Sequence, residues 1–267
     1  MPRVAVNGIK LSYDDYGSGD PVVLITGSGA AGKMWNAYQV PALTDAGFRV
    51  ITVDNRGMPP SDLCPEGFTI DEMVADTVGL IKLLGIEPCR AVGFSLGAMI
   101  LQELLLAHPD LITQAVLSAT RGRTDVLHTA ASAAEAELAE SGIVLPRRYA
   151  AVVHARQFLS PSSQTDESRI QDWLDIFEMS LLPPSVNRSQ HGLELISNRL
   201  EEYRKIRSDC LMIAFHDDLI APPCFCREVA DHIPGCRYEE IPGSGHYGYL
   251  EQPEKVNSLL IDYFRGA

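Results

Sequence analysis

The sequence contains no apolar run long enough to cross a bilayer. Its most hydrophobic stretch, Ala98–Ala107, is broken by Gln102 and Glu103, whereas a span needs roughly 18 apolar residues. The N-terminus, MPRVAVNGIKLSYDDYG, lacks the apolar core of a secretory signal. No C-x-x-C pair occurs among the six cysteines, at positions 64, 89, 210, 224, 226 and 236. A disulfide framework and a dithiol redox pair are therefore not expected, and most of the cysteines read as small buried hydrophobes. Cys224-x-Cys226 is half of a metal site, but no second Cys/His pair at ligand spacing accompanies it. Internal repeats and low-complexity tracts are absent. Positive charge is short, with 22 Lys and Arg against 35 Asp and Glu and a net charge of −13. An acidic surface repels phosphate backbones and anionic lipid, so neither nucleic acid nor a membrane is an expected partner. The expectation is a soluble, cytoplasmic protein that acts on a small molecule without metal or cofactor, with homo-oligomerisation left open.

What remains is a chain of 267 residues, 46% hydrophobic and 21% charged, enough for a large core. Short β-rich runs alternate with helical patterns in the first half. Val22–Ile25, Arg49–Val53, Arg90–Phe94 and Ile112–Ser118 read as strands. Ile70–Leu84 places Met73, Val74, Thr77, Val78, Ile81 and Leu84 on one stripe, opened by a Thr69–Glu72 capping box and stopped by Gly85. Leu96–Ala107 is apolar on most sides, as a buried helix is. Continuous apolar strands between helices predict a parallel sheet covered on both faces. Leu11–Tyr16 alternates instead, precedes a Gly17-Ser-Gly-Asp turn and predicts an antiparallel hairpin at the sheet edge.

From Thr120 the alternation stops. Helical patches at Thr129–Ala139, Arg147–Phe158 and Glu167–Met179 are punctuated by Pro161 and Pro183-Pro184. Alternation then resumes with strands at Cys210–Phe215 and Arg237–Ile241 and helices at Pro222–His232 and Pro253–Phe264. The division expected is an α/β core of residues 1–119 and 195–267, interrupted by a helical lid at 120–194.

Gly93-Phe94-Ser95-Leu96-Gly97 joins a strand to a helix. A serine there sits on a sharp turn with its hydroxyl exposed above a helix N-terminus that favours negative charge. A turn merely capping a buried helix is the plainer alternative. A serine attacks only when a base takes its proton. Of seven histidines, His246 has the setting for it, in the glycine-rich loop Ile241-Pro-Gly-Ser-Gly-His246-Tyr247 after the last strand. His216 is its rival. His108 ends a helix, and His128, His154, His191 and His232 fit packing or solvent. The base needs a carboxylate behind it, and Phe215-His216-Asp217-Asp218 supplies one at the end of the penultimate strand, giving the chain order Ser95, Asp218, His246. An oxyanion needs two donors: the N–H of Leu96, and one from the loop Thr26-Gly27-Ser28-Gly29. The latter loop also fits G-x-G-x-x-G with Asp54 downstream, the pattern of a dinucleotide site, but that reading leaves Ser95, Asp218 and His246 unexplained.

With these segments in view the chain resembles the α/β-hydrolase superfamily. The resemblance rests on Gly27-Ser28-Gly29, Asp54-Asn55-Arg56-Gly57…Ser61, Gly93-Phe94-Ser95-Leu96-Gly97, Asp218…Pro222 and Gly245-His246…Leu250-Glu251-Gln252-Pro253. It implies an eight-stranded, mostly parallel sheet with helices on both faces and a helical lid. It also implies Ser95 as nucleophile, His246 as base, Asp218 as orienting acid, and the N–H groups of Ser28 and Leu96 as oxyanion hole. The acid stands four residues before the first proline in such chains, which selects Asp218 over Asp217. The sequence departs from the pattern at Thr26, where histidine is usual, at Gly97-Ala98, and at Pro59-Pro60, where a glycine is common.

The implied activity is a serine esterase or lactonase cleaving a small acyl substrate. Met34, Trp35, His154, Trp173, Phe177 and Tyr247, with Met179, are the candidate pocket walls. The same three residues also serve thioester and C–C bond hydrolysis, peracid formation, and lyase or cyclase chemistry, and the scaffold also serves ligand-binding receptors. Nothing in the residues separates these.

Overall fold

The computed structural model describes residues 2–181, 192–193 and 195–266. Pro183-Pro184 and His191 lie outside them.

Eight strands form one sheet in the order β1-β2-β4-β3-β5-β6-β7-β8. Strands β1 (Arg3–Val6), β2 (Ile9–Gly17), β3 (Asp20–Ile25) and β4 (Phe48–Asp54) make one side. The other side is β5 (Cys89–Phe94), β6 (Ile112–Ser118), β7 (Asp209–Phe215) and β8 (Arg237–Ile241). The β1–β2 and β2–β4 pairs are antiparallel, and every later pair is parallel. The edge hairpin is therefore β1–β2, turning at Asn7-Gly8. The Gly17-Ser-Gly-Asp turn makes no hairpin, because β4 lies between β2 and β3.

Successive strand residues face opposite ways, which is why the parallel strands are apolar throughout. Val23 and Ile25 join a core with Met73, Met99, Leu101 and Val229. Val22 and Leu24 join the other, with Leu43, Val256, Leu260 and Phe264. The first layer is carried by α2 (Ile70–Leu84), α3 (Leu96–Ala107) and, further on, a helix at Pro223–His232. The second is carried by α1 (Gln39–Asp45), after a 3₁₀ turn at Gly32–Ala37, and by the C-terminal helix at Pro253–Arg265. α2 has the expected limits. Thr69 Oγ1 accepts the Glu72 N–H, the Glu72 carboxylate accepts the Thr69 N–H, and Gly85 stops the helix at φ 60°. Arg56, 4% exposed, lays its fork on buried Asp76 at 2.6 and 2.7 Å and so ties the loop after β4 to α2.

Between β6 and β7 the described residues form α4 (Val126–Glu140), α5 (Arg147–Phe158), α6 (Pro161–Thr165), α7 (Ile170–Ser180) and a single turn, α8 (Leu200–Tyr203). α5 and α7 pack on each other and send Ala151, Ala155, Trp173 and Phe177 into the second core. α4 buries no residue, and its Val126 and Leu127 face solvent. Its start is tied down by His128, whose ring lies between Asp125 Oδ1 at 2.7 Å and the Ile220 carbonyl at 2.8 Å. After β7 come α9 (Pro223–His232), the short α10 (Gly248–Glu251) and α11 (Pro253–Arg265). No helix among the described residues is long and apolar enough to cross a membrane.

Candidate active site

The C-terminal ends of β3, β5, β7 and β8 share one edge of the sheet, where parallel sheets place their ligands. β5 runs into α3 with one residue between them, Ser95, held at φ 53° and ψ −119°. That conformation is costly for a residue with a side chain, on the order of 1–3 kcal/mol. The surroundings enforce it. The Ser95 N–H donates to the Ser118 carbonyl at 3.0 Å, and the first turn of α3 takes the Ser95 carbonyl. A Cβ on Gly93 would stand 2.5 Å from the Gly97 carbonyl, and one on Gly97 would stand 2.2 Å from the Ile25 carbonyl. Only glycine at both positions lets the turn close this tightly on itself and on β3.

The loops after β7 and β8 bring their groups to this turn. The Ser95 hydroxyl donates to His246 Nε2 at 3.2 Å, and His246 Nδ1–H donates to Asp218 Oδ2 at 2.8 Å. Asp218 Oδ1 accepts the N–H groups of Ile220 and Ala221 at 2.8 and 2.9 Å. The carboxylate thus points one oxygen at the imidazole because the other is held by its own loop. At 2% exposure both of its oxygens face N–H donors of the protein. His246 is 4% exposed, and rings flank it: Phe94 at 4.9 Å between centroids and Phe158, the last residue of α5, at 5.7 Å.

Leu96 opens α3, and the first N–H groups of a helix have no acceptor within it. The turn after β3 lies beside the same point, since a Cβ on Gly27 would come within 3.0 Å of Ser95 Cβ. Thr26, which stands where histidine is usual, braces that turn: its hydroxyl donates to the Ala30 carbonyl at 3.0 Å, and its carbonyl accepts from Asn55 at 3.0 Å. Ser28 sits exposed at the tip. The dinucleotide alternative fails on Asp54, which is 1% exposed and accepts the Gly32 N–H at 2.8 Å. Burial pushes its carboxyl up from the ordinary value, and it is not presented to a ribose.

Residues 22–259 match the α/β-hydrolase family. A Mycobacterium tuberculosis protein provisionally named non-heme bromoperoxidase BpoC is 45% identical over 96% of this chain and 98% of its own. The chain belongs to the α/β-hydrolase family. The crystal structure of that mycobacterial relative superimposes with a TM-score of 0.92, covering 96% of each chain at 44% identity. An enol-lactonase from Burkholderia xenovorans has a TM-score of 0.86 at 26% identity, over 99% of this chain and 100% of its own. A thermophilic esterase from Thermogutta terrifontis has a TM-score of 0.85 at 26% identity, over 100% and 99%. The neighbours of this α/β-hydrolase thus include an esterase and an enol-lactonase beside the relative named as a bromoperoxidase.

The remaining sequence candidates separate by burial. Asp217 is half-buried, with its N–H on the Ser244 carbonyl, while its neighbour Asp218 holds the imidazole. His216, the rival base, is exposed, and its Nδ1 lies 2.6 Å from Glu240, which raises its pKa. Trp173 and Phe177 stack at 6.0 Å, and Phe177 stacks on half-buried Tyr247 at 5.8 Å. His154 meets Phe158 and Phe177 edge-on, and burial pushes its imidazole below the ordinary value. Met34 is half-buried beside this core. Trp35 is 2% exposed, packed against Phe94 and Tyr249, and Phe177 at 3% and Trp173 at 6% are buried in the same core. Met179, expected as a pocket wall, is 82% exposed because it lies on the outer face of α7. Phe158 escaped the sequence reading. It ends a predicted helix, and only the fold back over the sheet edge brings it to His246.

Proposed function

We propose that this α/β-hydrolase is a serine hydrolase that cleaves an ester, lactone or related acyl bond of a small organic substrate through an acyl-enzyme. One observation carries the reading: the unbroken hydrogen-bonded chain Ser95–His246–Asp218 at a strand–helix turn. His246 Nε2 takes the Ser95 proton as Oγ attacks the acyl carbon. The N–H groups of Leu96 and Ser28 receive the oxyanion, and Asp218 stabilises the imidazolium. Collapse expels the leaving oxygen, which takes the proton from His246. Water, deprotonated by the same imidazole, then releases the acid and restores Ser95. Residues 120–194 act as the lid, with Phe158, Phe177 and Tyr247 presenting an apolar wall to the acyl group and His154 a neutral polar atom. The enol-lactonase and esterase neighbours support the substrate class.

The mycobacterial relative's name favours one second reading, in which hydrogen peroxide instead of water attacks the acyl-enzyme and leaves as a peracid able to oxidise bromide. A fluorophosphonate probe and a panel of esters and lactones, with and without peroxide and bromide, test both. Wild type should label and hydrolyse, and Ser95→Ala should do neither. Labelling without hydrolysis of any panel member would point to lyase or cyclase chemistry, and no labelling to a receptor.

A further inference from the structure

Glu251 ends α10, five residues after His246 in the chain, and is 7% exposed. No Lys, Arg or His pairs with it among the described residues. Its carboxylate is instead divided between two backbone segments. Oε2 accepts the N–H of Gly245 at 2.6 Å, directly before the histidine. Oε1 accepts the N–H of Ser160 at 2.9 Å and its hydroxyl at 2.7 Å. Ser160 is wholly buried and caps α6, so it is the point at which the helical segment turns back from α5. The two segments touch there. A Cβ on Gly245 would lie 2.6 Å from the Phe158 carbonyl and 2.7 Å from Ser160 N, and the Tyr247 N–H donates to that same carbonyl at 3.2 Å.

A carboxylate without a cation is an expensive group to bury, and only charge-assisted bonds in the right places retain it. We propose that Glu251 is a positioning residue: it clamps the His246 loop to the Phe158–Ser160 turn and so fixes the imidazole's distance to Ser95. The inference rests on the reading of Ser95 and His246 as nucleophile and base. Both oxygens are required as acceptors. A glutamine there offers one acceptor and turns an NH2 towards an N–H, so one of the two segments is released. The same turn carries Phe158 onto His246, so the clamp also sets the ring that shields the base.

The test uses p-nitrophenyl acetate with wild type, Glu251→Gln, Ser160→Ala and Ser95→Ala. Steady-state kcat and KM, the acylation burst and the melting temperature are measured for each. Because small misplacements of reacting groups cost up to about 100-fold, Glu251→Gln should lower the acylation rate and kcat by about 10- to 100-fold with KM held within about threefold. Ser160→Ala keeps the N–H and loses the hydroxyl, so it should fall in the same direction by less. Leu260→Ala, a core variant in α11, should lose melting temperature without this kcat loss, which separates alignment from stability. A folded Glu251→Gln enzyme with wild-type kcat overturns the inference. If that variant does not fold, an unchanged kcat in Ser160→Ala overturns it, and a lowered one at constant KM supports it. If Ser95→Ala stays active, the reading of the triad has failed and this inference falls with it.

Discussion

Replacing Asp218 by asparagine isolates the charge behind His246. The side chain keeps its shape, and its oxygen still accepts the N–H groups of Ile220 and Ala221. Its other end then carries an NH2 where Oδ2 stood, 2.8 Å from His246 Nδ1. An NH2 only donates, so the imidazole must turn a lone pair to Nδ1 and carry its proton on Nε2. Nε2–H then faces Ser95 Oγ, 3.2 Å away, as a donor and cannot take the hydroxyl proton. The imidazolium formed during attack also loses its anion, in a site where Asp218 is 2% exposed and water cannot replace it. Such a change costs on the order of 10⁴ in kcat in a known serine triad, about 5 kcal/mol of barrier. Asp217 is the control. Its structural bond is a backbone N–H to Ser244, which asparagine leaves intact, so Asp217→Asn should cost less than about tenfold. The assay is kcat at saturating ester, with melting temperatures in parallel. An Asp218→Asn enzyme within about tenfold of wild type, or a crippled Asp217→Asn enzyme, refutes the reasoning.

His154 has its imidazole pushed below the ordinary 6.5 by burial, so the unfolded chain takes up a proton before the folded one does. Stability should therefore fall as pH drops below about 6.5, and the melting temperature of His154→Phe should fall less steeply between about pH 7.5 and 5.5. Arg56→Ala leaves Asp76 buried without its partner, a loss of about 3–5 kcal/mol readable by urea denaturation. A loss below about 1 kcal/mol would mean that the pair behaves as a surface ion pair. Phe177→Ala should change kcat/KM between short and bulky acyl esters far more than it changes fluorophosphonate labelling. Equal loss on all substrates would make Phe177 a core residue only.

The elements with local signatures were legible. Thr69, Glu72 and Gly85 bracket α2 because caps are made by residues a few positions apart. The turn at Ser95 was legible because Gly93 and Gly97 are needed within five residues of chain for backbone to approach backbone. Asp218 and His246 followed from the strand ends that carry them. The 3₁₀ turn at Gly32–Ala37, α1, α6 and α10 were not legible, being too short to show a hydrophobic period. The burial of the expected pocket walls depends on tertiary packing. Apolar type alone does not distinguish Trp35 in the core, Phe177 under α5 and Met179 in solvent. Glu251 was visible only as part of a motif, because its partner Ser160 lies 91 residues away and is reached only when the helical segment folds back.

The central claim is that Ser95 carries the acyl group. Intact-protein and peptide mass spectrometry after rapid acid quench with a slowly deacylated p-nitrophenyl ester tests it most directly. The account predicts one acyl adduct on the peptide containing Ser95, accumulating with the p-nitrophenolate burst, absent in Ser95→Ala and formed far more slowly in His246→Ala. An adduct on another residue, or a burst of undiminished size in Ser95→Ala, would contradict it.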